Sequence, residues 1–204
     1  MTKSVPKIDY QKATFLLSAA KLTQLPPDEG IEVAFVGRSN AGKSSAINVI
    51  ANKHGLARTS KTPGRTQLIN FFAMDEDRRL VDLPGYGYAK IPRPIQEQIE
   101  RLLSEYLSYR QCLQGLILLM DIRHPLMPSD KKFIDYAIEC ETPVHILLTK
   151  SDKLKRGASQ RALLETRKAI EPYPSVSVQT FSALYGFGID EVHLKLAEWF
   201  SFDD

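Results

Sequence analysis

The eight residues at 37–44, GRSNAGKS, constrain the fold of this chain more than any other feature. They follow an apolar run at 31–36, IEVAFV, and precede a helical pattern at 43–52. The pattern G-x-x-x-x-G-K-[ST] between a strand and a helix predicts a loop whose backbone N–H groups turn inward onto phosphate oxygens. The N-terminus of the helix attracts the same anion. The alternative interpretation is a glycine-rich turn with a chance lysine.

Two side chains of this loop have predicted roles at a nucleotide phosphate. Lys43 places a positive charge on the β- and γ-phosphates, and the Ser44 hydroxyl reaches a Mg²⁺ ion. Because the loop wraps the phosphates, we expect its other residues to contact the nucleotide as well. The predicted phosphate-loop residues are Gly37, Arg38, Ser39, Asn40, Ala41, Gly42, Lys43, Ser44 and Ser45.

The hydrophobic pattern of the remaining chain predicts an α/β fold. Strand-like and helical segments alternate in its second half, which favours a mostly parallel six-stranded sheet with helices on both faces. The turn at 75–77 is too short for a helical crossover, so the strands beside it should form an antiparallel hairpin at one edge. The predicted strands lie at 31–36, 68–73, 79–82, 113–120, 144–148 and 176–181, and the predicted helices at 43–52, 95–110, 129–140, 158–170 and 189–200.

The breaker-rich segment LPPDEG at 25–30 marks a boundary near the N-terminus. We expect residues 1–30 to be an extension that packs on or flanks the core, and residues 31–204 to form a single domain. Ser129 is a good candidate for the N-cap of the helix that begins there.

Three short motifs end predicted strands, where open α/β sheets bind ligands. In DLPG, Asp82 can hold Mg²⁺ through water, and the Gly85 N–H can meet the γ-phosphate. In TKSD, the Asp152 carboxylate can accept hydrogen bonds from N1–H and the exocyclic amine of guanine, a donor pair that adenine lacks. In FSA, a backbone N–H can meet guanine O6. The predicted contact residues in these motifs are Asp82, Leu83, Pro84, Gly85, Thr149, Lys150, Ser151, Asp152, Phe181, Ser182 and Ala183.

A further segment, KTPGRT at 61–66, lies between the phosphate loop and the hairpin. A threonine here would coordinate Mg²⁺ and sense the γ-phosphate through its backbone N–H. Thr62 and Thr66 are both candidates by position, and an ordinary Pro-Gly turn with two exposed threonines is the alternative.

Composition excludes several other classes. The longest apolar stretch, at 116–120, is far short of the roughly 20 residues of a membrane span. The N-terminal residues have no apolar secretory signal, and two cysteines cannot form a disulfide scaffold or a four-cysteine zinc site. We therefore expect a cytoplasmic protein without a membrane or DNA partner, and the absence of a coiled-coil pattern favours a monomer.

The net charge of +3 identifies no partner, but a basic segment at 53–65 contains no acidic residue. Its cations could meet a phosphate-rich surface, or the segment could be a solvated loop. These cations are Lys53, Arg58, Lys61 and Arg65.

Together, GRSNAGKS, KTPGRTQ, DLPGYGYA, MDIRHP, TKSD and FSA resemble the EngB family of bacterial Ras-like GTPases over residues 31–200. The resemblance implies a three-layer P-loop NTPase fold of the Ras-like G-domain type and binding of GTP and GDP. It selects Thr66 as the magnesium-binding threonine. It also implies assembly of the large ribosomal subunit, with rRNA and ribosomal proteins as partners, and links to cell division and septation. Nucleotide contacts implied within and after KTPGRT are Gly64, Arg65, Thr66, Gln67 and Leu68.

The predicted hydrolysis machinery departs from that of Ras, which has a water-orienting glutamine directly after D-x-x-G. This chain has Tyr86 there, so we expect slow intrinsic turnover, with Lys43 as the main charge-stabilising residue. Resemblance to related GTPases leaves open a catalytic K⁺ ion held by Asn40, which could instead only brace the loop. Tyr86 and Tyr88 could stack on RNA bases or pack within their loop.

Two other functions fit parts of the sequence. An ATP-using phosphotransferase would share the phosphate loop, although Asp152 argues against it. A non-enzymatic binding module that needs GTP only to hold its conformation, without hydrolysing it, would explain the missing glutamine. The segment at 121–124, DIRH, should form a polar network that braces the pocket. The alternative, His124 as a catalytic base, is less favoured because no nucleophile motif accompanies it.

Overall fold

The computed structural model describes residues 8–57, 68–87 and 92–201. Its strands are β1 (Thr14–Ala19), β2 (Ile31–Gly37), β3 (Ile69–Ala73), β4 (Arg78–Asp82), β5 (Leu113–Asp121), β6 (Val144–Thr149) and β7 (Val176–Thr180). Its α-helices are α1 (Lys43–Ile50), α2 (Arg93–Tyr109), α3 (Pro128–Glu139), α4 (Arg156–Ile170) and α5 (Ile189–Trp199). Short 3-10 turns lie at Tyr10–Lys12, Leu22–Gln24 and Ser151–Lys153.

The strands form one sheet in the order β1-β3-β4-β2-β5-β6-β7. Strands β4, β2, β5, β6 and β7 are parallel, whereas β3 runs antiparallel to β4, which confirms the predicted hairpin. This parallel arrangement places the carboxyl ends of β2, β4, β5, β6 and β7 at one edge of the sheet, where the predicted motifs lie.

The predicted count of six strands is wrong, because β1 adds a seventh strand from the N-terminal extension. It pairs antiparallel with β3, from Thr14 opposite Ala73 to Ala19 opposite Ile69, with an irregularity near Phe15. Phe15 and Leu16 are exposed, so the segment lacks the alternation of a half-buried strand. Strand β3 is consequently not the sheet edge. The division of the chain at residue 30 stays a prediction.

Alternating side chains of the central strands fill two hydrophobic layers, one on each face of the sheet. Leu116 and Leu118 of β5 face the layer formed with α2, α3 and α4, whereas Ile117 and Leu119 face the layer formed with α1 and α5. This three-layer arrangement confirms the predicted fold class. Within the described residues, no helix has the length and apolarity needed to cross a membrane.

The N-cap prediction for Ser129 is wrong. Helix α3 begins at Pro128, and the carboxylate of Asp130 accepts a 2.9 Å hydrogen bond from the backbone N–H of Met127. Asp130 is fully buried, and it also receives a hydrogen bond from the loop after β4, as described below.

A buried ion cluster lies at the opposite end of the sheet from the motifs. The carboxylate of Glu32 on β2 accepts hydrogen bonds from Arg110 at 2.6 and 2.8 Å, from Arg79 at 2.9 Å and from the Tyr106 hydroxyl at 2.7 Å. Arg110 also donates to the Pro26 carbonyl at 2.9 Å. The cluster therefore ties the segment before β2 to the core.

Candidate nucleotide-binding site

The loop between β2 and α1 has the backbone shape that the P-loop pattern predicts. A Cβ on Gly37 would lie 2.5 Å from the Leu119 carbonyl oxygen, so only glycine fits where the loop leaves the sheet. Asn40 and Gly42 have φ of +64° and +89°, in the left-handed region, and reverse the chain direction before α1. Helix α1 begins at Lys43, which directs its N-terminal N–H groups toward the loop.

Lys43 and Asp82 meet at the carboxyl edge of the sheet. The ammonium group of Lys43 pairs with one carboxylate oxygen of Asp82, at the end of β4, and both side chains are largely buried. Asp82 also lies 3.5 Å from the amide nitrogen of Asn70. Ser44 is half-buried in the first turn of α1.

The chemistry of these groups fits a Mg²⁺ site. A serine hydroxyl and a carboxylate are the oxygen ligands that Mg²⁺ prefers, and Mg²⁺ completes its shell with phosphate and water. Within the described ranges, no three His, Cys, Asp or Glu side chains group closely enough to hold a metal by themselves. Among the described residues, Ser44 and Asp82 have the oxygen donors that suit this ion.

The loop after β4 is attached to the P-loop and to α3 through Tyr86. The Tyr86 N–H donates to the Gly37 carbonyl and its own carbonyl accepts from the Ser39 N–H, both at 3.3 Å. Its hydroxyl donates to Asp130 at 2.8 Å, and its ring stacks on Phe133 with centroids 5.1 Å apart. Burial raises the pKa of the Asp130 carboxyl, and burial beside Asp130 raises the pKa of Tyr86. Tyr86 is 6% exposed, so of the two alternatives for this residue the structure shows packing, here against α3, and not a ring that is open to RNA bases.

The end of β6 supports the P-loop from beneath. The buried Thr149 hydroxyl lies 2.6 Å from the Ala41 carbonyl oxygen and 3.1 Å from that of Met120. The next residue, Lys150, has φ of +58°, and its ammonium group donates to the Asn40 carbonyl at 2.6 Å. The TKSD motif is therefore joined directly to the phosphate loop.

Asp152 and Ser182 come together from two neighbouring strand ends. The Ser182 hydroxyl donates to Asp152 at 2.7 Å, and the Ser151 N–H donates to the Phe181 carbonyl at 3.2 Å. The hydrogen bond from Ser182 is the main reason why the pKa of Asp152 is lowered, so the carboxylate is ionised at neutral pH. Its side chain is 8% exposed, which gives an anionic acceptor in a sheltered position.

The predicted network at 121–124 is present at the end of β5. Asp121 accepts two hydrogen bonds from the Arg123 guanidinium, at 2.9 and 2.6 Å, and pairs with Lys150 at 3.0 Å. The bond from Arg123 is the main reason why the pKa of Asp121 lies well below its usual range. The DIRH motif was enough to predict this network. Nothing in the sequence predicted the hydrogen bond from the Tyr86 hydroxyl to Asp130.

The structure thus brings the P-loop, Asp82, Gly85, the TKSD motif and the FSA motif to one edge of the sheet. Leu83 and Pro84 are buried between β4 and Tyr86, Leu68 is exposed before β3, and Ala183 is half-buried after Ser182. Arg38 and Ser45 border the P-loop at half-buried and exposed positions. The predictions for Thr62, Gly64, Arg65, Thr66, Gln67 and Tyr88 lie outside the described residues.

Comparisons with known proteins agree with this geometry. The family model described as "50S ribosome-binding GTPase" matches residues 32–150. A Coxiella burnetii protein named "Probable GTP-binding protein EngB" is 56% identical over 199 residues, 97% of this chain and 96% of the relative. Its namesake from Vibrio parahaemolyticus is 52% identical over 196 residues, 96% of this chain and 90% of the relative.

Solved structures show the same fold. The crystal structure of a probable GTP-binding protein engB has a TM-score of 0.68 at 24% identity and covers 83% of this chain and 98% of that chain. Era in complex with MgGDPNP and nucleotides 1506–1542 of 16S ribosomal RNA has a TM-score of 0.66 at 18% identity, covering 86% and 58% respectively.

The fold and the relatives define a P-loop GTPase. The identity above 50% along nearly the whole chain then specifies the family. This chain belongs to the EngB family of GTP-binding proteins, and the alternatives of an ATP-using phosphotransferase and a non-enzymatic module are set aside.

Proposed function

We propose that this GTPase is a slow, Mg²⁺-dependent GTP switch that acts in assembly of the large ribosomal subunit. The single observation that carries the nucleotide specificity is the Asp152–Ser182 pair beside the P-loop.

The phosphates and the metal would take the groups that now pair with each other. Lys43 would leave Asp82 for the β- and γ-phosphates, which frees Asp82 to hold Mg²⁺ through water, beside the hydroxyls of Ser44 and Thr66. Magnesium, when bound, would neutralise negative charge on the phosphates. The Gly85 N–H would meet the γ-phosphate.

Guanine would be recognised at the sheltered Asp152 carboxylate. It is ionised, oriented by Ser182 and able to accept the paired N1–H and N2–H donors of the base. Adenine lacks this donor pair and would leave the remaining acceptor positions of the sheltered carboxylate without a partner, which is the costly case that gives strong discrimination. Lys150 would border the base from the P-loop side, because its ammonium group is fixed on Asn40.

Slow turnover is supported by the direction of Tyr86. The residue that follows D-x-x-G points into α3 and is held by Asp130 rather than facing the P-loop. It therefore cannot orient a water molecule for attack. Acceleration would come from a partner or an ion, and a K⁺ ion at Asn40 stays a prediction that turnover assays in KCl and NaCl would test.

The ribosomal role is supported by the family description and by the basic segment at 53–65. Binding through Lys and Arg side chains to rRNA phosphates would weaken with salt. One of these cations, Lys53, already donates to the Ala13 carbonyl at 2.8 Å, and the cations at 58, 61 and 65 lie outside the described residues. We further propose a cytoplasmic monomer that acts without a DNA or membrane partner and is linked to cell division and septation.

The decisive experiment is competition of fluorescent GDP by GTP, GDP, ADP and xanthosine diphosphate. We expect GTP and GDP to displace the probe and ADP not to do so. Asp152→Asn should weaken GDP at least ~100-fold and improve xanthosine diphosphate, whose C2 carbonyl accepts from the new amide. Asp135→Asn, at an exposed position on α3, is the matched control. Equal displacement by ADP and GDP would overturn the proposal.

The ribosomal part needs its own measurement. Turnover should rise when purified large subunits or their precursors are added, and the stimulation should fall as salt is raised. Turnover that is unchanged by large subunits at low salt would overturn this part while leaving guanine recognition intact.

A further inference from the structure

The two carboxylates at the base end of the site have different partners. Asp121 is tied by both of its oxygens to the Arg123 guanidinium, with Nε on Oδ1 at 2.9 Å and Nη2 on Oδ2 at 2.6 Å. Asp152 receives Ser182 at 2.7 Å and has Lys153 only at 3.4 Å. The second carboxylate therefore keeps acceptor capacity for a ligand, whereas the first is occupied.

Arg123 is chemically similar to the ligand that Asp152 would bind. A guanidinium offers two parallel N–H donors to a carboxylate, and the N1–H and N2–H of guanine offer the same arrangement. The guanidinium also carries a full positive charge, so in the absence of another partner it would be the stronger competitor. Arg123 and Asp152 follow neighbouring strand ends, which are joined by a 3.0 Å hydrogen bond from the Ile122 N–H to the Thr149 carbonyl, and the Arg123 side chain is 45% exposed.

Asp121 also holds the other cation at this corner of the site. Its Oδ2 pairs with Lys150 at 3.0 Å, while Lys150 donates to the Asn40 carbonyl. Asp121 itself is anchored at the end of β5, next to β6, where Asp121 is paired with Thr149 in the sheet register. A rigid strand end thus fixes the carboxylate that retains both cations.

We propose that Asp121 is a specificity-determining residue: by binding Arg123 on both oxygens, it keeps this guanine-like donor pair away from Asp152. The inference rests on the proposed guanine recognition by Asp152. Asp121 does not touch the base in this scheme, and it acts by keeping the acceptor free.

The test is a double-mutant cycle that measures affinities for GDP and for inosine diphosphate, which lacks the exocyclic amine. In Asp121→Asn, Arg123 is released toward Asp152, so we expect GDP to bind at least ~10-fold more weakly and the preference for GDP over inosine diphosphate to shrink. Arg123→Gln should bind GDP within about threefold of wild type, because it removes the competitor. The double variant should recover most of the lost GDP affinity and preference.

Rescue by the second substitution separates this inference from a merely structural role. His124→Gln, at the exposed neighbouring position, is the matched control. If Asp121→Asn fails to fold, Asp121→Ser is carried through the same cycle. Unchanged GDP affinity, or a loss that Arg123→Gln does not rescue, would overturn the inference. Absence of a GDP preference over ADP in the wild type would instead overturn the proposed function itself.

Discussion

The hydroxyl of Tyr86 donates a 2.8 Å hydrogen bond to Asp130, and both residues are almost completely buried. One partner follows the D-x-x-G motif, and the other lies in the first turn of α3. Because the Tyr86 backbone also bonds to Gly37 and Ser39, this single residue connects α3 to the phosphate loop. A conformational change in the loop after β4 would therefore be transmitted to α3.

Tyr86→Phe should lower the free energy of unfolding by about 1–3 kcal/mol, since it leaves part of a buried carboxylate without a donor. Urea unfolding of the nucleotide-free protein measures this loss. Tyr173→Phe is the matched control, because Tyr173 makes a similar bond to Asp135 at 3.0 Å on the surface. An equal loss of unfolding free energy in the two variants would contradict the expectation that the buried hydrogen bond contributes more than the surface one.

Thr149→Val should weaken both stability and GDP binding. The substitution keeps the shape of the side chain but removes the hydroxyl that lies 2.6 Å from the Ala41 carbonyl. We expect a loss of about 1–3 kcal/mol in the free energy of unfolding and a several-fold loss of GDP affinity. Thr166→Val removes a buried hydroxyl that bonds within α4, so it should lower stability but spare GDP affinity. Equal effects on GDP affinity would exclude P-loop support by Thr149.

Arg110→Met should destabilise the protein by about 3–5 kcal/mol, because it removes the main partner of the fully buried Glu32 carboxylate. Arg93→Met, which breaks an exposed ion pair with Glu97, should cost less than about 1 kcal/mol. Thermal and urea unfolding measure both changes. A small effect of Arg110→Met would mean that Arg79 and Tyr106 alone satisfy Glu32.

The pH dependence of stability should contain a contribution from His145. Burial lowers the pKa of His145 from 6.5 to about 4, and its ring nitrogens lie 2.7 Å from Ser177 Oγ and 2.8 Å from Gln179 Oε1. The unfolded chain therefore binds a proton that the folded chain refuses between pH 6.5 and pH 4. Stability should fall by about 3 kcal/mol as the pH is lowered through this window.

His145→Gln should flatten the pH dependence in that window, as measured by urea unfolding at several pH values. His124→Gln changes an exposed histidine and should keep the wild-type slope. A slope that persists in His145→Gln would assign the effect to other groups.

Much of the site could be predicted because its motifs follow strands, and parallel strands end at one edge. The P-loop, Asp82, Asp152 and Ser182 were placed in this way, and Asp152 does meet Ser182. Strand β1 was not predicted, because an edge strand with exposed Phe15 and Leu16 lacks an alternating pattern. The Tyr86–Asp130 bond joins residues 44 positions apart, and no local pattern encodes such a pair.

The same limit applies to charge. The sequence shows that Asp121, Arg123, Lys150 and Asp152 belong to two strand ends, but not which carboxylate takes which cation. That choice depends on differences in side-chain distance that are smaller than the length of a hydrogen bond. Likewise, Ser129 has the residue type of an N-cap, but the helix begins one residue earlier, and Asp130 bonds the Met127 N–H.

The position of β1 has a consequence for how the chain is made. It leaves the ribosome before every other strand that the structure describes, yet its partner β3 follows about 50 residues later, as the pairing of Ala19 with Ile69 shows. At about 5–20 residues per second, synthesis of the residues between β1 and β3 takes several seconds, and β1 has no partner strand during that time. During that interval Phe15, Leu16 and Leu17 are unpaired apolar residues on a nascent chain. This edge strand is thus synthesised before the other strands that the structure describes, but it can join the sheet only after its partner β3 has been made.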